Sequence, residues 1–170
     1  MGIDDIPQRD SKSIDARKYK GMKIKIADKV TFIDADGKEQ TRDGVRQEEQ
    51  IDFWNGPVDE DDQPTYNPKS TEIAQVIVIE TERIPELDAE GKPTEKLTNI
   101  TVKRTFNLKK EVDDAGKVQW VISKHPKAKL WGFMRNMEVK KLSDLIGKFV
   151  VLGTTPDKVN PEKFWLRISD

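Results

Sequence analysis

Basic and tryptophan side chains are concentrated between Gly116 and Ile168, a stretch that holds three of the four tryptophans of the chain. Cationic side chains bind the phosphates of single-stranded nucleic acid, and exposed aromatic rings stack on its bases. The combination therefore predicts a surface that binds single-stranded DNA or RNA. The candidate contact residues are Lys103, Lys124, Lys127, Lys129, Trp131, Arg135, Lys140, Lys141, Trp165 and Arg167.

The exposure of each tryptophan decides whether it can stack on a base. Trp120 alternates with apolar neighbours, so it is predicted to face the core. Trp131 lies off the apolar stripe of its segment, and Trp165 alternates in phase with Lys163 and Arg167. Both are therefore predicted to be exposed. Exposed tryptophans also suit a protein-interaction or structural subunit of a larger assembly, for example a viral one, with protein partners or self-association. A carbohydrate-binding β-module is a third reading.

The charges of the chain are distributed unevenly. Residues 1–98 carry 15 Lys and Arg against 23 Asp and Glu, whereas residues 99–170 carry 15 against 8. This split predicts an acidic region and a basic face. The alternative is that the opposite charges of the two halves compensate each other on one surface. An acidic run at 59–62, bracketed by prolines, predicts a long loop at about 55–70.

Residues that could perform catalysis are scarce. The chain has one histidine, His125, and no cysteine. A general acid or base needs positioned partners and a metal site needs several ligands, and the sequence around His125 has neither pattern. The whole sequence has no glycine-rich phosphate-binding loop and no serine in a nucleophile elbow. The sequence therefore predicts a non-enzymatic protein without a metal or a cofactor.

Apolar periodicity predicts the elements that position these side chains. Alternation of period two indicates strands, and apolar residues at spacings of three and four indicate a short helix over 126–137. Gly132 inside that helix predicts close packing or a kink. Residues 38–70 and 85–96 are predicted as loops. The predicted strands are 20–32, 50–54, 71–84, 99–108, 117–123, 148–152 and 163–168, with hairpin turns at 34–37 and 113–116.

This order of elements predicts a mainly β fold. We expect a small antiparallel OB-like barrel, or a sandwich, with one short helix before the last two strands. Residues 1–16 are predicted to form a flexible N-terminal tail. Residues 17–170 are predicted to form a single OB-like β domain that carries the acidic loop.

The segment KLWGFMRNMEVKKLSDLIGKFVVLG resembles small OB-fold-like single-stranded DNA-binding proteins of phage and mobile elements. In these proteins a short helix leads to a (D/E)L(I/V)GK turn and then to a strand. The resemblance covers roughly the last third of the chain. It implies an OB-like barrel that binds single-stranded DNA. The matching residues are Leu130, Phe133, Leu145, Ile146, Gly147 and Lys148.

Composition predicts a soluble, cytoplasmic protein. Charged residues make up 36% of the chain, well above the usual share of about 25%, so the core is expected to be modest. The sequence has no apolar run near the ~20 residues that span a bilayer, and its N-terminus has no signal-peptide pattern. The lack of cysteine fits a reducing compartment. No membrane partner is expected.

Overall fold

The computed structural model describes residues 14–51 and 73–169, with the backbone alone for Ile51. These residues form mainly antiparallel strands, which confirms the mainly β class. The predicted acidic loop at about 55–70 and residues 1–13 of the predicted tail lie outside the described residues. The strands are β1 (Lys23–Lys25), β2 (Lys29–Ile33), β3 (Glu39–Asp43), β4 (Val45–Ile51), β5 (Ile73–Glu80), β6 (Pro85–Leu87), β7 (Pro93–Leu97), β8 (Lys103–Asn107), β9 (Lys109–Val112), β10 (Val118–Val121), β11 (Phe149–Pro156) and β12 (Phe164–Ile168).

Helical structure is brief in the described part of the chain. One α-helix, α1 (Lys129–Asn136), precedes the last two strands, as the sequence predicts. Two 3₁₀ helices span Ala16–Tyr19 and Leu142–Leu145. The first begins at Asp15, whose carboxylate accepts a hydrogen bond from the amide of Arg17. Ala16 is buried, so the chain is already attached to the body at this point.

Two three-stranded antiparallel sheets form the frame of the molecule. In one, β11 lies between β1 and β12, and in the other, β5 lies between β4 and β8. A β-bridge between Ile26 and Thr81 joins the end of β1 to the end of β5. The amide of Ala27 donates to the carbonyl of Glu80 beside this bridge, at 3.0 Å. The order β12–β11–β1–β5–β8 is therefore continuous.

Three hairpins, β2–β3, β6–β7 and β9–β10, project from this frame. Each turn has the pattern Asp-x-x-Gly-Lys, and it begins at Asp34, Asp88 or Asp113. In each turn, one carboxylate oxygen of the aspartate accepts the amides two and four residues later. The glycine has a positive φ of 78–80°, a conformation that side chains other than glycine rarely adopt. The same local sequence pattern therefore specifies all three turns.

The core lies between the two sheets and α1. Strand β5 is buried on both faces from Val76 to Ile79, as its β-branched run predicts. The helix points Leu130, Phe133 and Met134 into the core, and the ring centroid of Phe133 lies 5.3 Å from that of Phe106. The core cluster comprises Tyr19, Ile24, Ile26, Ile77, Ile79, Ile84, Val102, Phe106, Leu130, Phe133, Met134, Val139, Leu145, Val150, Leu152 and Ile168.

A buried carboxylate ties the hairpin β2–β3 to the frame. Glu80 at the end of β5 is fully buried. Its two carboxylate oxygens accept a bidentate pair of hydrogen bonds from Arg42, at 3.0 and 2.8 Å. Arg46 donates at 2.8 Å and the hydroxyl of Thr101 at 2.6 Å. These four hydrogen bonds reduce the free-energy cost of burying the charge, because each in-plane lone pair of the carboxylate has a donor.

Several sequence-based predictions of strands and loops were wrong. Residues 39–51 form β3 and β4, where a loop was predicted, and residues 85–97 form the hairpin β6–β7. The predicted strand 20–32 is divided into β1 and β2. Strands β3 and β7 are almost entirely exposed, so neither has the apolar alternation that a half-buried strand shows.

Strands β8 and β12 are the two ends of the continuous order, and they lie next to each other. Four antiparallel steps separate them, so they run in the same direction. No hydrogen-bonded ladder joins them within the described residues, and these residues therefore form no closed barrel.

Candidate functional site

The structure divides the sequence-predicted contact residues into two groups. The first follows the loop before α1, the helix itself and the turn after it. The second lies on β8 and β12. The first group is Lys124, Lys127, Lys129, Trp131, Arg135, Lys140 and Lys141, and the second is Lys103, Trp165 and Arg167.

In the first group, the cations are exposed but the tryptophan is not free. Trp131 is half-buried and packs against the core cluster. The ammonium of Lys124 lies 5.2 Å from the centroid of its ring. Because the ring is half-buried against the core, it offers less open surface to a base than an exposed ring does. The expectation that Trp131 is exposed was wrong because the short helix rests its side directly on the core.

Trp165 and Arg167 of the second group belong to a larger exposed surface, the outward side of the β1–β11–β12 sheet. We call this surface the sheet face. It is defined by alternate residues of the three strands together with Lys163, which precedes β12. The residues of the sheet face are Lys23, Lys25, Phe149, Val151, Gly153, Thr155, Lys163, Trp165 and Arg167.

Aromatic and cationic side chains alternate across the sheet face. Phe149 is 55% exposed and Trp165 is 52% exposed, although both are large apolar rings. Strand pairing places Lys25 opposite Phe149, with its ammonium 5.5 Å from the ring centroid. The ammonium of Lys163 lies 4.3 Å from the centroid of Trp165. Because cations border both rings, a stacked base would have a phosphate-binding group beside it.

No carboxylate lies on the sheet face within its three strands. Asp157, one residue past β11, is the nearest along the chain, and its oxygens are engaged. The amides of Asn160 and Val159 donate to one oxygen at 3.0 and 2.8 Å, and the indole of Trp165 donates to the other at 2.8 Å. The Asn160 amide, followed by the indole, lowers the pKa of Asp157. The aspartate therefore stays ionised and holds the ring of Trp165 in one orientation.

A groove borders the sheet face where β12 approaches β8. It has a volume of about 760 Å³ and lies between β12, residues 100–103 and the first 3₁₀ helix. Lys103 and Trp165, which are far apart in the sequence, both line it. The guanidinium of Arg17 lies 5.4 Å from the ring centroid of Phe164 on its wall. The tertiary structure thus brings together two of the three residues of the second group.

Four members of the sheet face were not among the contact residues predicted from the sequence: Lys23, Lys25, Phe149 and Lys163. Alternation with the buried Ile24 and Val150 already indicates that the two β1 lysines and Phe149 point outward. Nothing local indicates that β1 and β11 are neighbours, because more than a hundred residues separate them. The sequence therefore indicates that these side chains point outward, but it does not indicate that they share one surface.

Two further features bear on ligands. No three His, Cys, Asp or Glu side chains gather as a metal site requires within 14–51 and 73–169. Among the helices that the structure describes, none is long enough and apolar enough to cross a lipid bilayer.

Comparisons of the chain with protein-family models, with curated proteins and with solved structures found no match.

Proposed function

We propose that this chain binds single-stranded nucleic acid across the sheet face, without catalysing a reaction. The observation that carries the proposal is the pair of exposed rings, Phe149 and Trp165, on a surface whose strands bear lysine and arginine but no carboxylate. Together with the exposed Val151 between them, these rings give the sheet face an apolar patch, and an apolar patch rimmed by polar residues marks an interaction site. Unstacked bases cover rings, and phosphates pair with the cations beside them.

The dimensions of the sheet face suit a short stretch of extended strand. Trp165 is opposite Thr155, six residues along β11 from Phe149. At about 3.3 Å per residue, the two ends of this row are roughly 20 Å apart. Such a length accommodates several nucleotides, within the range of about 4–16 that a single OB fold binds.

The strand order supports an OB-like barrel as the finer description of the fold. The continuous order β12–β11–β1–β5–β8 and the helix between β8 and β11 match a five-stranded, partly open Greek-key barrel. OB modules usually bind nucleic acid on their second and third strands, which correspond to β5 and β8. In this chain Val76 and Val78 on β5 are buried, so this part of β5 has no open surface for a ligand. The proposed contact therefore uses different strands of the barrel.

Titration of tryptophan fluorescence with oligo-dT tests the proposal. We expect quenching by oligo-dT, and about tenfold weaker binding in each of Trp165→Ala and Phe149→Ala, because stacking contributes about 1–3 kcal/mol per base. Trp165→Phe is the matched control, since it keeps a stacking ring and loses only the bond to Asp157. If wild-type protein binds no oligo-dT at low salt, the proposal is wrong.

The cations of the first group are tested in the same assay. The double variant Lys127→Ala/Lys129→Ala removes two exposed charges from the loop–helix group and leaves the sheet face intact. We expect a smaller loss of affinity than Lys23→Ala/Lys25→Ala produces. The reverse order would place the main contact at α1 instead.

A role as a protein-interaction or structural subunit is the second candidate. The observation that favours it is the pair Val112 and Val118, which face each other on the β9–β10 hairpin and are 59% and 45% exposed. Apolar side chains on a projecting hairpin suit contact with protein. Light scattering after size exclusion tests self-association, and Val112→Asp should then dissociate any oligomer. A monomer at all concentrations, together with oligo-dT binding, would exclude self-association through this hairpin.

A further inference from the structure

Gly153 lies in the middle of the sheet face, directly opposite Arg167 in the β11–β12 pairing. A Cβ atom at Gly153 would lie 3.3 Å from Nε and 3.6 Å from Cγ of Arg167. It would also lie 2.5 Å from Oγ of Ser169. The side chain of Arg167 therefore crosses the sheet surface above the glycine and does not project away from it. A methyl group at this position would displace the arginine by a few tenths of an ångström, and a larger side chain would occupy its path.

Arg167 is exposed, and no described carboxylate lies within ion-pair distance of it. A guanidinium is planar, and its flat face stacks on nucleobases as an aromatic ring does. We infer that Arg167, laid across Gly153, forms a third base-stacking subsite between Phe149 and Trp165. Gly153 is then a positioning residue, because it acts only through the arginine. This inference rests on the proposed function.

The distance between Trp165 and Arg167 favours single-stranded over double-stranded nucleic acid. Arg167 and Trp165 are two residues apart on the same side of β12, which is about 7 Å. Bases in a duplex are stacked about 3.4 Å apart along each strand. A strand that places successive bases on Trp165 and Arg167 is therefore stretched to roughly twice the duplex spacing. In a duplex each base face is covered by its stacked neighbour, and a step stretched to that spacing loses this stacking, so the subsite favours an unpaired strand.

Replacement of Arg167 by lysine separates stacking from charge. Arg167→Lys keeps the positive charge but has no planar group. We expect about fivefold weaker binding of oligo-dT with an unchanged dependence on salt. Arg167→Ala removes both, so its affinity should fall further and its salt dependence should also decrease. If Arg167→Lys binds as tightly as the wild type, Arg167 contacts only phosphate and the inference is wrong.

Replacement of Gly153 tests the positioning directly. Ser169→Ala first removes the hydroxyl that an added Cβ would meet, and this single variant should bind oligo-dT as the wild type does. Adding Gly153→Ala to it leaves Arg167 as the close neighbour of the new methyl group, and we expect a measurable loss that is smaller than that of Arg167→Lys, because the methyl group shifts the arginine only slightly. Circular dichroism confirms that both variants are folded.

The outcomes distinguish this inference from the proposed function. If Trp165→Ala and Phe149→Ala weaken binding but the Gly153 and Arg167→Lys variants do not, the sheet face binds nucleic acid without a third stacking subsite. If none of these variants changes the affinity, the proposed function itself is wrong. Equal losses for oligo-dT and for duplex DNA in Arg167→Lys would also contradict the inference, because only an unpaired strand can stack there.

Discussion

At the scale of single residues, Glu80 is the side chain on which most of the polar interior depends. Its carboxylate is fully buried and receives four hydrogen bonds, three of them from Arg42 and Arg46. Arg46 has an additional ion pair with Glu48, whose side chain is 41% exposed. The same arginine thus makes one buried and one exposed ion pair, which allows a matched comparison of their contributions.

We expect Glu80→Gln to lower the free energy of unfolding by about 3 kcal/mol, because two cations lose their buried partner. The loss should be at the lower end of the usual range, since the side chain of Arg42 is 30% exposed and water can solvate it. Urea unfolding measures the difference. The control is Glu48→Gln, for which we expect a loss below about 1 kcal/mol. Equal effects of the two variants would show that burial does not strengthen the Glu80 interactions.

We also expect the stability difference between the wild type and Glu80→Gln to depend on pH. Burial alone raises the pKa of Glu80, but the hydrogen bonds from Arg42, Thr101 and Arg46 outweigh it, so the pKa lies below its ordinary value of 4.5. A carboxylate with a depressed pKa stabilises the fold fully above its ordinary pKa and loses that contribution as the pH falls through its folded-state pKa. The difference between wild type and Glu80→Gln should therefore be constant at neutral pH and shrink below pH 4.5. A difference that persists unchanged to about pH 3 would contradict the assigned cause.

At the scale of elements, two glycines have opposite roles. Gly44 lies between β3 and β4, where a Cβ would clash with the carbonyl oxygen of Ala27. Gly132 lies inside α1, and a Cβ there would meet nothing within 4 Å. The sequence-based expectation of close packing at Gly132 was therefore wrong, and the tight contact is at a glycine that carries no helical signal.

We expect Gly44→Ala to lower the stability by about 3 kcal/mol or to abolish cooperative unfolding, because backbone atoms of Ala27 cannot move aside cheaply. Gly132→Ala should raise the stability by up to about 1 kcal/mol, since alanine loses less conformational entropy in a helix. Thermal unfolding followed by circular dichroism measures both. A destabilising Gly132→Ala would mean that the helix needs the glycine for its geometry.

At the scale of the whole molecule, the small net charge of −1 conceals a strongly basic sheet face. The sheet face contains four cations: Lys23, Lys25, Lys163 and Arg167. Release of counterions from a single strand gives a slope of log affinity against log salt of about −0.7 per phosphate contacted. Four contacts therefore predict a slope of about −3.

We expect Lys23→Ala to reduce the magnitude of this slope by about 0.7, because it removes one phosphate contact and touches neither ring. Lys38→Ala, on the β2–β3 hairpin outside the sheet face, serves as the control and should leave the slope unchanged. Salt titrations of oligo-dT binding measure both slopes. Equal slopes in wild type and Lys23→Ala would remove β1 from the interface.

The sequence by itself determined the local features of this protein. A continuous β-branched run predicted β5, alternation predicted β8 and β12, and the turn at Gly147 indicated that a strand, β11, follows. The spacing of apolar residues predicted α1, and an aspartate followed three residues later by a glycine predicted two of the three hairpin turns. These features depend on residues close together in the chain, so local periodicity and turn chemistry suffice to identify them. Exposed strands such as β3 and β7 have no such pattern and were missed.

Only the tertiary structure decided which outward side chains share a surface. Phe149 and Trp165 were each predictable as members of strands, and the outward orientation of Lys23 and Lys25 follows from their alternation with Ile24. Their assembly into one basic, aromatic face requires β1 from the start of the chain to pair with β11 from its end. That pairing is made by hydrogen bonds between distant backbone groups, which any strand can form with any other. The choice of neighbour therefore depends on how the whole core packs, and no local stretch of sequence contains it.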